Sequence, residues 1–438
     1  MQLTLETYWQ GNWHHSATLT LIDEAMGHLS PSRIEYETNY FIAFAAVGFT
    51  DETNITDARA LSVRHPVNLL SQPCPKWPAF LLDLMPQGNA RRSLSSLMGI
   101  NADHSASELA LLLRAAANPI GNIRIREAAD LESERLAKIK PIGVSQEQIL
   151  SGSPALEALF DHCTIHASSA ISLQGEWPKI ALTQANDGLF YPDAFVEDNE
   201  ALQHVIVKRP RSNSSKDRLI LQAEAAYSRL AQHLGLNIYA PSAYGNDSLI
   251  IPRFDRRIES GKVMRYGQES MVAALGVTAF GHLAHHEDYI AILKRHSTDP
   301  AADILEYVKR DIANRAFGNP DNHGRNSALS KAPDGSIRLS PLFDFAPMRI
   351  ADDGIIKSTR WRAMQATHSE ASPNWRHICQ VIYPDDHNAA AHLYYALCLF
   401  AEKLLYIDEL NSFGIPNDVK DLVSNSQRSA AHDVLKTA

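Results

Sequence analysis

The chain has 438 residues, a formal net charge of −9, and 45% hydrophobic and 21% charged residues. This is room for two or three packed units with the composition of an ordinary soluble globular protein. The acidic balance excludes a sequence-independent binder of polyanions, which needs basic surface to release counterions from phosphates, but leaves room for a local basic patch or a DNA-binding partner subunit.

The opening "MQLTLETYWQ" has neither a basic n-region nor an apolar h-region, so no secretory signal is expected. Residues 1 to about 130 read as mixed α/β. "ATLTLID" (17–23) and "NYFIAFAAV" (39–47) have strand character, and "ASELALLLRAAA" (106–117) is helical. The longest apolar runs are about half the ~20 residues a membrane-spanning helix needs. Cys74, Cys163, Cys379 and Cys398 lie far apart and form no CxxC pair, which points to a reduced, cytoplasmic compartment and excludes a zinc ribbon. "SQEQILSGSPALEALFDH" (145–162) places Ser, Gly and Pro before a short helical pattern and is the expected linker.

From about 165 to 255 strands dominate. "PKIALTQANDGLFYP" (178–192) reads as a hairpin around "ANDG", and "HVIVKRP" (204–210) as a β-branched strand closed by Pro210. A helix follows over 216–237, with Ile220, Ala223, Tyr227, Leu230 and Leu234 at helical spacing and Gly235 as its stop. "SLIIPRFDRR" (248–257) is a short strand ending in charge. Beyond about 265 the pattern is mainly helical. The clearest helix has Asp299 and Pro300 at its start, apolar positions at Ile304, Leu305, Val308 and Ile312, and Gly318 at its end. "SALSKAPDGSIRLSP" (327–341) is a second hairpin, around Pro-Asp-Gly. A strand-rich middle followed by a helical end predicts an α+β chain of two lobes.

Asp321 and Asn326 lie five apart on the loop after that helix, and the hairpin carries the chain to Asp344 in Asp-Phe-Ala. Phosphoryl transfer in a protein kinase needs this order: a carboxylate to orient the hydroxyl and take its proton, then an Asn and a second Asp to hold magnesium against ATP phosphates. The alternative reading of Asp321 and Asn322 is a turn after a helix end. Asp344, between Phe343 and Phe345, needs a partner if buried, and a metal would supply one. Lys208, ending a strand with its side chain on the Ile206 face, and Glu224, on the apolar stripe of the next helix, would explain each other as an ion pair; both could instead reach water at the edge of the core. The chain has no G-x-G-x-x-G before Lys208 and no Walker A, so the phosphate-covering element falls to "SSAISLQGEWPK" (168–179). His282, His285 and His286 stand at i, i+3 and i+4, read as a solvated polar helix face with a metal site as the alternative.

Taken together, these segments resemble the HipA family, bacterial serine/threonine protein kinases that act as toxins of type II toxin–antitoxin modules. The resemblance runs through "FLLDLMPQGNARR" (80–92), "SSAISLQ" (168–174), "HVIVKRP", "AEAAYSRLAQHLGLN" (223–237), "PRFDRR" (252–257), "GQESM" (267–271), and "NPDNHGRNSAL" with "SPLFDFAP". It implies a two-lobed protein-kinase-like fold: an N-terminal subdomain over 1–135, an ATP-binding region over 136–258 and a helical lobe over 259–438. It also implies ATP and Mg as cofactors, Asp321 as the catalytic residue, and Asn326 and Asp344 as metal ligands. ATP would be met by Ile171, Ser172, Leu173, Gln174, Lys208, Glu224, Pro252, Arg253, Phe254, Asp255 and His323, together with Asn326 and Asp344. Ser169 aligns with the serine that family members autophosphorylate, and Ser172, where a glycine is usual, is a competing site. An insertion in "QGEWPK" precedes Lys179 and leaves that lysine's role open, and Pro252, lacking an N–H, could offer adenine only its carbonyl. The implied partners are a HipB-like DNA-binding antitoxin, through which DNA is met, and a protein substrate of the aminoacyl-tRNA synthetase type, with no membrane contact. A catalytically silent ATP-binding corepressor and a small-molecule kinase are the competing expectations.

Overall fold

The computed structural model describes residues 1–46, 55–166, 175–365, 372–405 and 410–436. The chain divides into two compact units. The first comprises Met1–Arg211, Gly245–Phe280 and Leu329–Ile337, and the second Ser212–Tyr244, Gly281–Ala328 and Arg338–Ala438.

Alternation builds the first sheet of the first unit. Buried Leu3 and Leu5 flank Thr4, and buried Ala17, Leu19 and Leu21 flank Thr18 and Thr20, so each strand presents one apolar face. The register sets Leu3 opposite Leu19, Leu5 opposite Ala17 and Leu19 opposite Ile34, which gathers these side chains on one side. Strand order is Gln72–Cys74, Ser32–Tyr36, Asn12–Leu21, Gln2–Trp9, Ile123–Ile125, antiparallel throughout. The helices Glu108–Ala115 and Arg126–Leu136 complete the core with Leu111, Leu112 and Ala128. The strand expected from residue 39 is instead a helix, Thr38–Phe44. Tyr40 and Phe44 stand four apart on that helix with their rings 5.2 Å apart, and Tyr40 also stacks on Tyr36 at the end of the preceding strand at 6.4 Å, contacts that outweigh β propensity. Residues 145–162 fold as helices inside this unit, the first opened by a Ser145–Gln148 capping box.

In the second sheet the expected hairpin is present as Lys179–Ala185 and Phe190–Pro192, with Gly188 at φ +83° in its turn. Ala201–Lys208 and Ser248–Pro252 continue the sheet antiparallel. Beneath it lies a buried ionic layer. Arg253 donates to both oxygens of Asp255 (2.9 and 2.6 Å) and to Asp193, and Arg256 donates to Asp193 at 2.8 Å. Thr183 Oγ1 joins Asp193 and His204 Nδ1, each at 2.8 Å. Burial pushes His204 down to about 3, so it sits there neutral. Burial alone would raise the Asp255 carboxyl, but Arg253 and then Arg256 bring it down to about 2.

The second unit is helical. Ser215–Leu234 begins with Ser214 accepting the Lys216 N–H and stops at Gly235, φ +75°, as the sequence predicts. Pro300–Ala316 has Asp299 as its cap, accepting the Ala302 N–H at 3.1 Å, with Pro300 at the first position, where a missing N–H costs nothing. It packs against His286–His296, His387–Leu405 and Asn417–Leu435. No helix among the described residues is long and apolar enough to cross a membrane.

The ionic layer yields two expectations. Asp193→Ala leaves two buried guanidiniums short of a partner and lowers stability by about 3–5 kcal/mol, read by chemical denaturation. Asp255 is brought down to about 2 and Asp193 is held below its ordinary value, so between roughly pH 4 and 2 the unfolded chain binds more protons at Asp255 than the native one does, with Asp193 acting in the same direction. Their stabilisation is therefore complete above about pH 4 and lost as pH falls toward 2, which a thermal-shift series across that range measures.

Candidate active site

The site is assembled within the second unit, from two loops. The first follows Pro300–Ala316: Phe317 ends the helix and Gly318, at φ +68°, turns the chain into Asn319-Pro320-Asp321. The second is Leu342–Pro347, in which Asp344 takes φ +51°, a left-handed conformation that an L-residue other than glycine seldom adopts. What compels it is the next residue. The Phe345 ring is buried against Tyr227 at 5.1 Å and Phe317 at 6.1 Å between centroids, so the backbone must turn at Asp344 to bury one side chain and present the other. Tyr227 itself is fixed by donating its hydroxyl to the Phe317 carbonyl at 2.9 Å.

Two polar ties hold the loops to each other. Asn319 Nδ2 donates to the Asp344 carbonyl at 3.4 Å and to Asn314 Oδ1 at 3.0 Å, while its Oδ1 accepts the Asp321 N–H at 3.2 Å. Arg349 N donates to the Gly318 carbonyl at 3.0 Å. Asn326 closes the first loop, its Nδ2 donating to the Asp321 carbonyl at 2.9 Å and its own N–H to the His323 carbonyl at 2.9 Å. His323 Nδ1 accepts the Arg325 N–H, so the neutral ring carries its proton on Nε2, 3.5 Å from Asp321 Oδ1. Asp321, Asn326 and Asp344 thus line one cavity open to solvent, with about 30 Å³ of enclosed volume.

Asp344 is half-buried and opens to this cavity, rather than being enclosed by its two phenylalanines. A carboxylate with an amide oxygen is the hard donor set magnesium accepts, since that ion keeps waters and phosphate oxygens and needs few protein ligands. Asn326 spends its amide N–H on the loop backbone, which makes Oδ1 the atom to meet a cation.

The other expected residues fall elsewhere. Lys208 belongs to the first unit, buried at the end of its strand, with its ammonium 5.1 Å from the Trp177 ring centre and Lys179 as its cross-strand neighbour. Glu224 is buried on the helix Ser215–Leu234 of the second unit. Pro252 and Phe254 are half-buried in the first unit, and the side chains of Arg253 and Asp255 are committed to the ionic layer. Ser169, Ile171, Ser172, Leu173 and Gln174 lie outside the described residues.

The histidine cluster is not a solvated helix face. The helix starts only at His286, whose ring is buried, stacked on Trp361 at 4.5 Å and bonded through Nδ1 to the Tyr307 hydroxyl at 2.9 Å. Burial pushes it down to about 3. Among the described residues no group of three or more His, Cys, Asp or Glu is placed to hold a metal. The sequence reading also missed Asp311, which lines the same cavity. Burial acts to raise its carboxyl, but Lys357, Arg315, His286 and the Trp361 N–H hold it well below the usual range. Its signal was a carboxylate on the apolar stripe of Ile304, Val308 and Ile312.

This architecture is found elsewhere. The HipA toxin in the Shewanella oneidensis MR-1 complex of HipA, HipB and operator DNA superposes with a TM-score of 0.66 over 99% of this chain and 97% of that one, at 16% identity. The α+β kinase-like fold expected from the sequence is therefore the fold observed. The family described as the HipA-like C-terminal domain matches residues 171–398, just over half of the chain, and the chain belongs to it. A curated protein of Sinorhizobium fredii, "Putative kinase Y4mE", is 27% identical over 279 residues, 60% of this chain. The chain spans 63% of the length of that relative.

Relief of the turn at Asp344 is measurable. Asp344→Gly removes left-handed strain and raises the stability of the second unit by about 1 kcal/mol in urea denaturation, even as it deletes one of the carboxylates lining the cavity.

Proposed function

We propose that the protein is an ATP- and magnesium-dependent serine/threonine protein kinase, acting as the toxin of a HipA/HipB-like module. The observation that carries this reading is the convergence of Asp321, Asn326 and Asp344 on one cavity. Asp321 is 30% exposed, open enough to meet an incoming hydroxyl, and its carboxylate accepts the hydroxyl proton as the new oxygen–phosphorus bond forms and the bond to the leaving diphosphate breaks. His323 Nε2–H steadies the Asp321 oxygen facing it. Asn326 Oδ1 and the Asp344 carboxylate would hold magnesium, which when bound neutralises charge on the phosphates. Lys208 and Glu224 are the proposed ATP-phosphate pair, with Ile171–Gln174 as the loop above it and Pro252–Asp255 beside adenine, as the family resemblance implies. The same resemblance assigns a HipB-like antitoxin, contact with DNA through that antitoxin, a protein substrate of the aminoacyl-tRNA synthetase type, and autophosphorylation on Ser169 or Ser172.

Wild type and Asp321→Ala incubated with Mg-ATP decide the matter by intact mass and peptide mapping. The expected result is one added phosphate on Ser169 or Ser172 in the wild type, with the rate reduced at least ~100-fold in the variant. Nucleotide binding with no phosphate on either protein would overturn the reading in favour of a silent binding role.

A further inference from the structure

In the insertion ahead of Lys179, residues 175–178 have a defined place within the first unit. Gly175 and Glu176 lie against the start of the helix Gly88–Met98. They come so close that a Cβ on Gly88 would stand 2.5 Å from Glu176 Oε1 and 2.9 Å from the Gly175 carbonyl. Glu176 also pairs with Arg92 of that helix at 2.5 Å. At the other end the Pro178 carbonyl accepts the Arg209 N–H at 2.8 Å, which extends the ladder between Lys179–Ala185 and Ala201–Lys208. The residue between these two anchors is Trp177, and only 8% of it is exposed.

What Trp177 meets is charge. Its ring centre is 5.1 Å from the Lys208 ammonium and 5.0 Å from the Arg211 guanidinium carbon, both within reach of a cation–π contact. That attraction is strongest where water is excluded, and Lys208 is 4% exposed.

The strand register explains why an aromatic ring is useful here. Lys179 stands directly opposite Lys208 on the same face of the sheet, and like charges so placed repel. The insertion parts them. Lys179 Nζ lies over Gly175, where an added Cβ would come within 3.2 Å of it, while Lys208 Nζ goes to the indole. A carboxylate in the place of Trp177 would also attract Lys208, but it would cancel the charge. An indole face holds an ammonium without neutralising it or taking a hydrogen bond from it, so the charge is kept for an anion.

We propose that Trp177 is a positioning residue that holds the Lys208 ammonium in place for the phosphates of a bound nucleotide. The phosphate role rests on the nucleotide-binding part of the reading above, and the Trp177–Lys208 contact does not. Trp177 itself touches no phosphate.

The test uses the full chain as wild type, as Trp177→Leu, which removes the π face, and as Trp177→Phe, which keeps a weaker one. Equilibrium dialysis with Mg-ATP and, separately, with adenosine is the first readout. ATP binding should weaken about 10-fold in Trp177→Leu and about 3-fold in Trp177→Phe, with adenosine binding within about 2-fold of wild type in both. The second readout needs no nucleotide. The emission of Trp177, taken as the difference between a protein and its Trp177→Phe counterpart, should shift when Lys208→Met removes the ammonium. Wild-type ATP affinity in Trp177→Leu overturns the positioning role. Equal losses for ATP and adenosine overturn it as well, because that pattern is general damage to the fold. If Trp177→Leu does not fold, Trp177→Phe is read by the same criteria. An unshifted emission overturns the contact. ATP bound without phosphate transfer overturns the kinase reading alone, and the dialysis still decides Trp177. A wild type that binds no ATP overturns the nucleotide reading and the phosphate role with it, and the emission then decides the contact by itself.

Discussion

Asp321 and Asp344 bring like charges to one cavity and repel each other, so the chain has to hold them there by other means. Here the means is the burial of Phe345 between Tyr227 and Phe317. Once that ring is seated, the Asp344 backbone must turn left-handed, its carbonyl comes within reach of Asn319, and Asn319 in turn receives the Asp321 N–H. The geometry of the site is thereby transferred to an apolar contact whose strength does not depend on what occupies the cavity. A helix that ends in Phe-Gly and a helix that presents a buried Tyr are the two features the loops rely on.

Much of this was legible in the primary structure. Helix ends announced themselves through Asp299-Pro300, Gly318 and Gly235, because caps and left-handed stops are local chemistry. Both hairpins followed from Asn-Asp-Gly and Pro-Asp-Gly turns. Asp321, Asn326 and Asp344 were legible as a set because their spacing carries a known chemical logic.

The rest depended on contacts between distant positions. Nothing near Arg253 in sequence shows that Asp193, sixty residues earlier, will meet its guanidinium, so residues read as lining adenine have side chains occupied in an ionic layer. The histidines at 282–286 have the spacing of a helix face, but the helix begins at the last of them and buries it. Residues 39–47 read as a strand because their composition is aromatic, while the four-residue spacing of Tyr40 and Phe44 became meaningful only once the rings had neighbours. Asp311 was visible as a charge on an apolar stripe, yet its partners at 357 and 361 come from a loop with no periodicity of its own.

The left-handed backbone at Asp344 also bears on how such a protein can change over generations. Few residues accept that conformation: glycine freely, asparagine and aspartate at modest cost, and branched or bulky side chains poorly. Aspartate codons are a single-nucleotide change from both asparagine and glycine. A lineage released from selection on the carboxylate would drift through those two residues at this site while keeping a folded scaffold. Inheritance of the shape without the chemistry is therefore a short mutational step here, and residue 344 is the position at which to look for it among descendants.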